Sequence, residues 1–288
     1  MKRFALIGDP LGHSLSPALH KAIYRQLEID DASYRAIELN SDKLHGFFAG
    51  FRVGGFDGIN VTIPHKSSVI AMLDEVDAKA KLINAVNCIN RHRNQLTGYN
   101  TDMLGFAHSL RNNAGVIENN RFVIVGAGGS ALAVGAVLAE GGAKSITIVN
   151  RSEERAEYLR DTVLKLNKDV VVELANESDL HDQKGSFHCL INATSVGTSP
   201  NVSESALENV GAIVDDSTLV FDLIYNPSET KLIKDARAVG ANTVNGLEML
   251  IAQAVYSVEI WMGGNVVAHI DMNCLVKELE KLLGSKSK

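Results

Sequence analysis

Small polar side chains recur at the ends of apolar runs in the first half of the sequence. In chain order they are Ser14, Ser16, Thr62, Lys66, Asn87 and Asp102. Ligands of open α/β sheets bind beyond the carboxyl ends of strands, so we expect these side chains to face one ligand. They suit a small, polyhydroxylated, anionic substrate, whose carboxylate Ser14 and Ser16 would bind and whose hydroxyls Asn87 and Asp102 would bind. Taken singly, each has an ordinary structural explanation as a helix cap, strand residue or turn former.

Lys66 and Asp102 are the pair best suited to proton transfer. Hydride reduction of a ketone leaves an alkoxide that needs a proton, and the reverse oxidation needs a base for the alcohol. A positioned lysine can serve both steps. The competing interpretation is a solvated surface lysine, which is the usual environment of this residue type.

A glycine-rich turn follows the apolar run 122–125 and opens a helical pattern. Its residues are Gly126, Ala127, Gly128, Gly129, Ser130 and Ala131. This context is typical of dinucleotide binding, in which glycines allow a tight turn and let backbone amides approach a pyrophosphate at the helix N-terminus. The alternative is a βα turn that needs glycine only for its geometry.

The end of the next strand predicts the form of the cofactor. An NAD site places an acidic residue there, whereas this chain has Asn150, Arg151 and Ser152, followed by Arg155. Arginine binds a 2′-phosphate bidentately, so we predict NADP. An ordinary solvated helix start is the alternative, because Glu153 and Glu154 lie beside these arginines.

Composition narrows the class of protein. The 288 residues carry 28 Lys and Arg against 34 Asp and Glu, a net charge of −6, which argues against nucleic acid or an anionic membrane as the partner. Three widely spaced cysteines and the lack of a recognisable leader suggest a cytoplasmic protein. His13, His20 and His65 lack the spacing of metal ligands, so we expect no metal.

Alternating apolar runs and helical patterns predict an α/β fold with parallel sheets covered by helices. We expect an N-terminal α/β substrate-binding domain over residues 1–101 and a Rossmann-type doubly wound domain over 102–245, with a cleft between them. The helices in 246–288 are expected to pack on the first domain. Ser16 is predicted to cap the first helix, and Thr101 with Asp102 to cap the helix whose core face is Leu104, Ala107, Leu110 and Ala114.

The sequence resembles the shikimate dehydrogenase family over most of its length. The segments that carry the resemblance are GDPLGHSLSPALH (8–20), GINVTIPHK (58–66), LDEVDAKAKLINAVNCI (73–89), GYNTDMLGF (98–106), VGAGGSA (125–131), NRSEER (150–155), NATSVG (192–197), FDLIYNP (221–227) and GLEMLIAQA (246–254). Their order and spacing make the resemblance highly specific.

The resemblance implies NADP-dependent interconversion of shikimate and 3-dehydroshikimate, a step of aromatic amino acid (chorismate) biosynthesis. It implies proton transfer by Lys66 and Asp102, and substrate contacts at Ser14, Ser16, Thr62, Asn87 and Gln253. Thr194, Tyr225 and Gly246 are implied on the cofactor side. Gln253 shares a helix edge with Met249, four residues away, which independently fits a substrate amide contact.

Four departures from the family pattern put the fine shape of both sites in question. Asn84 replaces a glycine, Cys88 a threonine, Lys21 an asparagine and Thr198 a methionine. Two alternatives also stay open, namely a quinate/shikimate dehydrogenase using NAD and a catalytically silent NADP-binding regulator. The oligomeric state is open as well, with a homodimer as one candidate.

Overall fold

A computed structural model describes residues 1–12 and 14–286, so the prediction for His13 lies outside the described residues. The chain divides into two compact units. One contains Met1–Gly105 and Ile251–Lys281, and the other contains Phe106–Leu250 and Leu282–Lys288. No described helix is long and apolar enough to cross a bilayer.

The first unit is built on a mixed six-stranded sheet in the order β2-β1-β3-β5-β6-β4. Its strands are β1 (Lys2–Gly8), β2 (Ala32–Glu38), β3 (Gly58–Val61), β4 (Glu75–Val76), β5 (Cys88–His92) and β6 (Gln95–Tyr99). Strands β1, β2 and β3 are parallel, whereas β5 runs antiparallel to both β3 and β6. The carboxyl end of β3 therefore lies beside the segment that enters β5.

The second unit contains a parallel sheet in the order β12-β11-β10-β7-β8-β9. Its strands are β7 (Arg121–Val125), β8 (Ser145–Val149), β9 (Val171–Ala175), β10 (Cys189–Asn192), β11 (Leu219–Asp222) and β12 (Asn242–Asn245). Counted from β7, the strands follow the order of a doubly wound dinucleotide-binding sheet, whose strand order reverses between β7 and β10. The predicted α/β fold class is confirmed.

Nine α-helices connect or cover these strands in the described part of the chain. They are α1 (Ser16–Gln26), α2 (Leu44–Gly50), α3 (Ala78–Leu82), α4 (Thr101–Ala114), α5 (Gly129–Glu140), α6 (Glu153–Leu166), α7 (Lys231–Ala238), α8 (Leu247–Met262) and α9 (Met272–Lys286). The strands at the centre of each sheet are apolar and buried, as sheets covered on both faces require.

Two predicted helix caps are wrong. Helix α1 begins at Ser16 itself, the residue before it is Leu15, and no side-chain cap is present. The Ser14 hydroxyl instead accepts a bond from the Ser16 amide at 3.2 Å. Helix α4 begins at Thr101, and the Asn100 side chain accepts from the Met103 amide at 3.1 Å. In both cases a polar residue one or two positions earlier satisfies the first helical amides.

The predicted core face of α4 is also partly wrong. Leu110 is buried, but Leu104 is 44% exposed, while Met103 and Phe106 are buried in its place. Phe106 lies 5.5 Å from Phe221 between ring centroids. The Phe106 ring and the Met103 side chain occupy the interior, so the buried face of α4 lies about one residue away from the predicted face.

Candidate active site

Lys66 and Asp102 meet in the first unit although 36 residues separate them in sequence. The Lys66 Nζ donates to Asp102 Oδ2 at 2.6 Å, and the two side chains are only 14% and 11% exposed. Lys66 lies beyond β3, and Asp102 lies in the first turn of α4 after β6. A largely buried amine and carboxylate in contact form a pair that can hold and move one proton.

Asn87 holds the other oxygen of this carboxylate, and Thr101 holds Asn87. Asn87 Nδ2 donates to Asp102 Oδ1 at 2.8 Å and to Thr101 Oγ1 at 3.0 Å. The Thr101 amide donates to Asn87 Oδ1 at 2.6 Å. Asn87 is placed by its backbone, whose carbonyl accepts from Val61 and whose amide donates to Tyr99. Asp102 thus receives one donor on each oxygen.

The ends of β1 and β3 lie against each other. The Thr62 amide donates to Ile7 O at 2.9 Å, and the Asp9 amide donates to Ile63 O at 3.0 Å. A Cβ at Gly8 would stand 2.4 Å from Thr62 Cγ2, so only glycine permits this approach. The segment that carries Ser14 and Ser16 therefore leaves the sheet next to Thr62 and Lys66, as the sequence predicts.

Helix α8 brings Gln253 into the same unit. The helical spacing predicts a core face of Leu247, Leu250, Ala254, Val258 and Trp261; all are buried except Leu250, which is half-buried like Gln253, while Met249 is buried instead. Trp261 Nε1 donates to Ile89 O at 3.0 Å, and its ring occupies the space that a Cβ at Gly58 would need. Strand β3 and α8 are thereby fixed against each other.

The glycine-rich turn has the geometry that a pyrophosphate requires. Gly126 has φ of +106°, and a Cβ there would stand 2.9 Å from Thr194 Cγ2. Nothing lies within 4 Å of a Cβ built at Gly128. Helix α5 has Gly128 at its N-cap and no side-chain cap bond, so the first amides of α5, at Gly129, Ser130 and Ala131, remain available to an anion.

The residues after β8 adopt the turn that precedes α6. Ser152 caps α6 by accepting from the Arg155 amide, and Asn150 Nδ2 donates to Ser152 O at 2.7 Å. Arg151 and Arg155 are exposed, and neither side chain forms an ion pair within the described residues. Two unpaired guanidinium groups at the end of β8 suit a 2′-phosphate.

A buried polar cluster connects the ends of β10 and β11. Asp222 accepts from Asn192 Nδ2, the Ile224 amide and Thr230 Oγ1 at 2.9, 3.0 and 2.6 Å. Burial raises the pKa of Asp222, and these three donors oppose the rise. Asn192 Oδ1 in turn accepts from the amide and hydroxyl of Thr194. The cluster fixes the loops that carry Thr194 and Tyr225.

Gly246 and two departures from the family pattern have clear structural explanations. A Cβ at Gly246 would stand 2.0 Å from Leu223 O, so no other residue fits without a shift of the backbone. Thr198 Oγ1 donates to Asn226 O at 3.1 Å and ties the loop after β10 to the loop after β11. Asn84 has φ of +50°, the left-handed conformation that the replaced glycine would adopt easily.

Comparison with known proteins gives the family. Residues 6–89 match the shikimate dehydrogenase substrate binding domain, and residues 109–249 match the shikimate / quinate 5-dehydrogenase family. A shikimate dehydrogenase (NADP(+)) of Halothermothrix orenii is 41% identical over 270 residues, which cover 90% of each chain. The chain belongs to the shikimate dehydrogenase family.

Two solved structures are similar to this chain over nearly its whole length. Shikimate 5-dehydrogenase of Thermus thermophilus, in complex with NADP(H) and shikimate, has a TM-score of 0.84 and 30% identity and covers 98% of this chain and 99% of its own. The 5-ketofructose reductase of Gluconobacter sp. strain CHM43 has a TM-score of 0.83 and 33% identity, with 98% of both chains covered. Similar architecture therefore accompanies more than one substrate.

Three buried residues of this shikimate dehydrogenase family member lie outside our predicted site. Asn60 and Thr101 stand at strand ends but were not assigned a contact, and Ser257 on α8 was missed entirely. The hydroxyl of Ser257 touches both of the others. The spacing of Ser257 could have found it, because it lies four residues after Gln253 and eight after Met249 on one helix edge.

Proposed function

We propose that this protein is an NADP-dependent oxidoreductase that interconverts 3-dehydroshikimate and shikimate in aromatic amino acid biosynthesis. The observation that carries the proposal is the 2.6 Å contact between Lys66 and Asp102 in a chain of the shikimate dehydrogenase family. A binding module has no need for a shielded amine and carboxylate at that spot. NADP, when bound, supplies or accepts the hydride.

In the direction of ketone reduction, Lys66 donates a proton to the oxygen of the reacting carbon as hydride arrives at that carbon. In the reverse direction, the amine accepts the hydroxyl proton while the carbon loses hydride. Asp102 orients Lys66 by accepting its hydrogen bond at Oδ2, while Oδ1 accepts a hydrogen bond from Asn87. This division of roles between a proton carrier and an orienting carboxylate is the usual form of general acid–base catalysis.

The remaining predicted contacts bind the rest of the substrate. Ser14 and Ser16 at the start of α1 are proposed to hold the carboxylate, with Thr62 and Lys66 on the adjoining strand end. Asn87, Asp102 and Gln253 are proposed to contact the ring hydroxyls. The proximity of the β1 and β3 ends supports this arrangement.

NADP is proposed to bind the second unit. The turn Gly126–Ser130 with the open space at Gly128 would hold the pyrophosphate. Asn150, Arg151, Ser152 and Arg155 would hold the 2′-phosphate end, and Thr194, Tyr225 and Gly246 the nicotinamide end. We accordingly propose a substrate domain over residues 1–101, joined by the helices in 246–288, and an NADP domain over 102–245.

Appearance or loss of reduced nicotinamide absorbance tests the proposal. Shikimate and quinate are offered with NADP and with NAD, and 5-ketofructose is offered with the reduced cofactors. We expect the highest kcat/KM for shikimate with NADP. Protein that binds NADP but oxidises no shikimate would contradict the proposal and favour a silent regulator.

Two other substrates have specific support. Quinate appears in the family description that residues 109–249 match, and 5-ketofructose is the substrate named for a structure that is 33% identical. Both would need the same proton-transfer pair, so a higher kcat/KM with either would reassign the substrate without changing the roles of Lys66 and Asp102.

Charge and cysteine content support a small-molecule substrate and a cytoplasmic location. The net charge of −6 supports a small-molecule substrate over nucleic acid, and three free cysteines, two of them buried, suit the reducing cytoplasm. A homodimer is supported only by the position of β2 at the edge of the first sheet, where a second chain could pair. Light scattering tests the homodimer.

A further inference from the structure

Ser257 is a fully buried serine at the centre of a hydrogen-bonded group in the first unit. Its Oγ lies 2.9 Å from Asn60 Nδ2, 3.1 Å from Thr101 Oγ1 and 2.9 Å from the Gln253 carbonyl. These partners come from β3, α4 and α8 respectively. Three elements that carry predicted substrate or catalytic contacts therefore converge on one hydroxyl.

The direction of each hydrogen bond in this group is determined by groups that can act in one way only. The Gln253 carbonyl can only accept, so the single hydroxyl proton of Ser257 points at it. Asn60 Nδ2 also bonds the Asn87 carbonyl at 3.1 Å, which fixes the orientation of its amide as a donor to Ser257. The remaining lone pair of Ser257 can then accept from the Thr101 hydroxyl, whose other acceptor, Asn87 Oδ1, lies slightly farther away at 3.2 Å.

The same reasoning extends to the catalytic carboxylate. With its proton on Ser257, the Thr101 hydroxyl can only accept from Asn87 Nδ2. The Thr101 amide donates to Asn87 Oδ1 at 2.6 Å, which fixes the orientation of the Asn87 side chain. The second N–H of Asn87 consequently points at Asp102 Oδ1, and Lys66 occupies Oδ2. With the Thr101 proton on Ser257, the hydrogen bonds from Ser257 to Asp102 form one continuous chain.

We propose that Ser257 is a positioning residue for the Lys66–Asp102 pair, acting through Thr101 and Asn87. Ser257 accepts the Thr101 hydroxyl proton, so Thr101 Oγ1 acts as an acceptor for Asn87 Nδ2. The second N–H of Asn87 is then available to Asp102 Oδ1. It also ties the backbone of Gln253 to the same group. This inference rests on the proposed function, because it assigns a role in that reaction.

Loss of the Ser257 hydroxyl has a specific expected effect on the group. In Ser257→Ala, the Thr101 proton turns to its other neighbour, Asn87 Oδ1, which lies 3.2 Å away. The new bond shifts the Asn87 side chain, and the bond from Asn87 Nδ2 to Asp102 Oδ1 weakens. We expect kcat with shikimate to fall roughly three- to tenfold, the effect of about one hydrogen bond, while the KM for NADP is unchanged.

Four variants separate positioning from mere stability. Thr101→Val removes the hydroxyl and is expected to match Ser257→Ala, whereas Thr101→Ser retains it and is expected to recover most of the kcat that Thr101→Val loses. The double variant Ser257→Ala/Thr101→Val is expected to lose no more kcat than Thr101→Val alone, since both remove one chain of bonds. Thr162→Val is the control, because the buried Thr162 hydroxyl makes the same bond to a carbonyl four residues earlier.

The control gives the outcome of a purely structural role. Thr162→Val is expected to lower the melting temperature without changing kcat. Wild-type kcat in Ser257→Ala, or additive losses of kcat in the double variant, would overturn the role of Ser257 and leave the proposed function intact. Wild-type protein that does not oxidise shikimate would instead refute the proposed function.

Discussion

Arg151 is the residue on which the preference for NADP is expected to depend. Its guanidinium is exposed beyond β8 and forms no ion pair within the described residues. We predict that Arg151→Ala lowers the ratio of kcat/KM for NADP over NAD roughly ten- to a hundredfold, the effect of losing charge-assisted bonds to a phosphate. Steady-state kinetics with both cofactors measures this ratio.

Arg160→Ala is the matched control for Arg151. Arg160 lies on α6 and bonds to Asp161 and Glu157 on that helix, so its loss should leave the cofactor ratio unchanged. An unchanged ratio in Arg151→Ala as well would mean that other groups select the cofactor.

At the level of single residues, the sequence predicts the identity of the reacting groups better than their supports. Lys66, Asp102 and Asn87 could be found because amine, carboxylate and amide stand at strand ends, where ligands bind. The residue type alone does not predict a role for Ser257, because a serine inside an apolar helix usually bonds only to a backbone carbonyl of its own helix. Its role depends on which side chains two other elements bring to it.

Helix α1 packs on the first sheet through a histidine that stays neutral. His20 is fully buried, its ring stacks on Tyr34 at 3.7 Å between centroids, and neither ring nitrogen has a well-formed hydrogen bond in the described structure. Burial lowers the pKa of His20 from 6.5 to about 3, and the nearby Asn60 amide opposes this only in part. Between these two pH values, His20 is therefore protonated in the unfolded chain but neutral in the folded chain.

This difference predicts a pH dependence of stability. The contribution of neutral His20 is complete above pH 6.5 and is lost as the pH falls toward about 3. In that window the free energy of unfolding should fall by up to about 1.4 kcal/mol per pH unit on account of His20. We predict that His20→Gln shows a shallower fall between roughly pH 6 and pH 4, measured by urea unfolding.

His92→Gln provides the comparison, because His92 is exposed at the end of β5. It is expected to follow the wild-type pH dependence. If His20→Gln lost stability on acidification as steeply as wild type, the histidine would not be held neutral by burial.

At the level of elements, strands and helices with a strong apolar pattern were predicted well. The sequence pattern predicts strands over 145–149 and 219–222 and a helix over 153–166, and β8, β11 and α6 have these bounds. The sequence pattern predicts neither helix α7 nor strand β12 (Asn242–Asn245). Strand β12 has only one apolar residue in four, and its position follows from pairing with β11. The buried face of α4 has a similar cause, because Phe106 packs against Phe221, which is distant in sequence.

For the whole molecule, we predict that shikimate and NADP protect different units. Shikimate should slow amide hydrogen exchange in segments 58–66 and 84–102, and NADP should slow exchange in segments 126–131 and 150–155. Ligand binding stabilises the segments that it orders, so protection reports the binding site. Hydrogen exchange measured by mass spectrometry with each ligand alone gives the map.

The unit that each ligand protects provides a check on this map. Protection by shikimate confined to residues 106–250, or protection by NADP confined to residues 1–105, would reverse the assignment of the two units. The strand order of the second sheet favours the assignment given, because dinucleotides bind where that order reverses.

The most direct test of the central claim is the turnover of Lys66→Ala with shikimate and NADP, measured beside its shikimate dissociation constant. We expect kcat to fall roughly 10²- to 10⁴-fold while the dissociation constant changes far less, because Lys66 moves the proton in the reaction. Lys81→Ala, an exposed lysine on α3, should retain full turnover. A variant Lys66→Ala that keeps wild-type kcat but loses affinity for shikimate would show that Lys66 is a binding group only and that another group moves the proton.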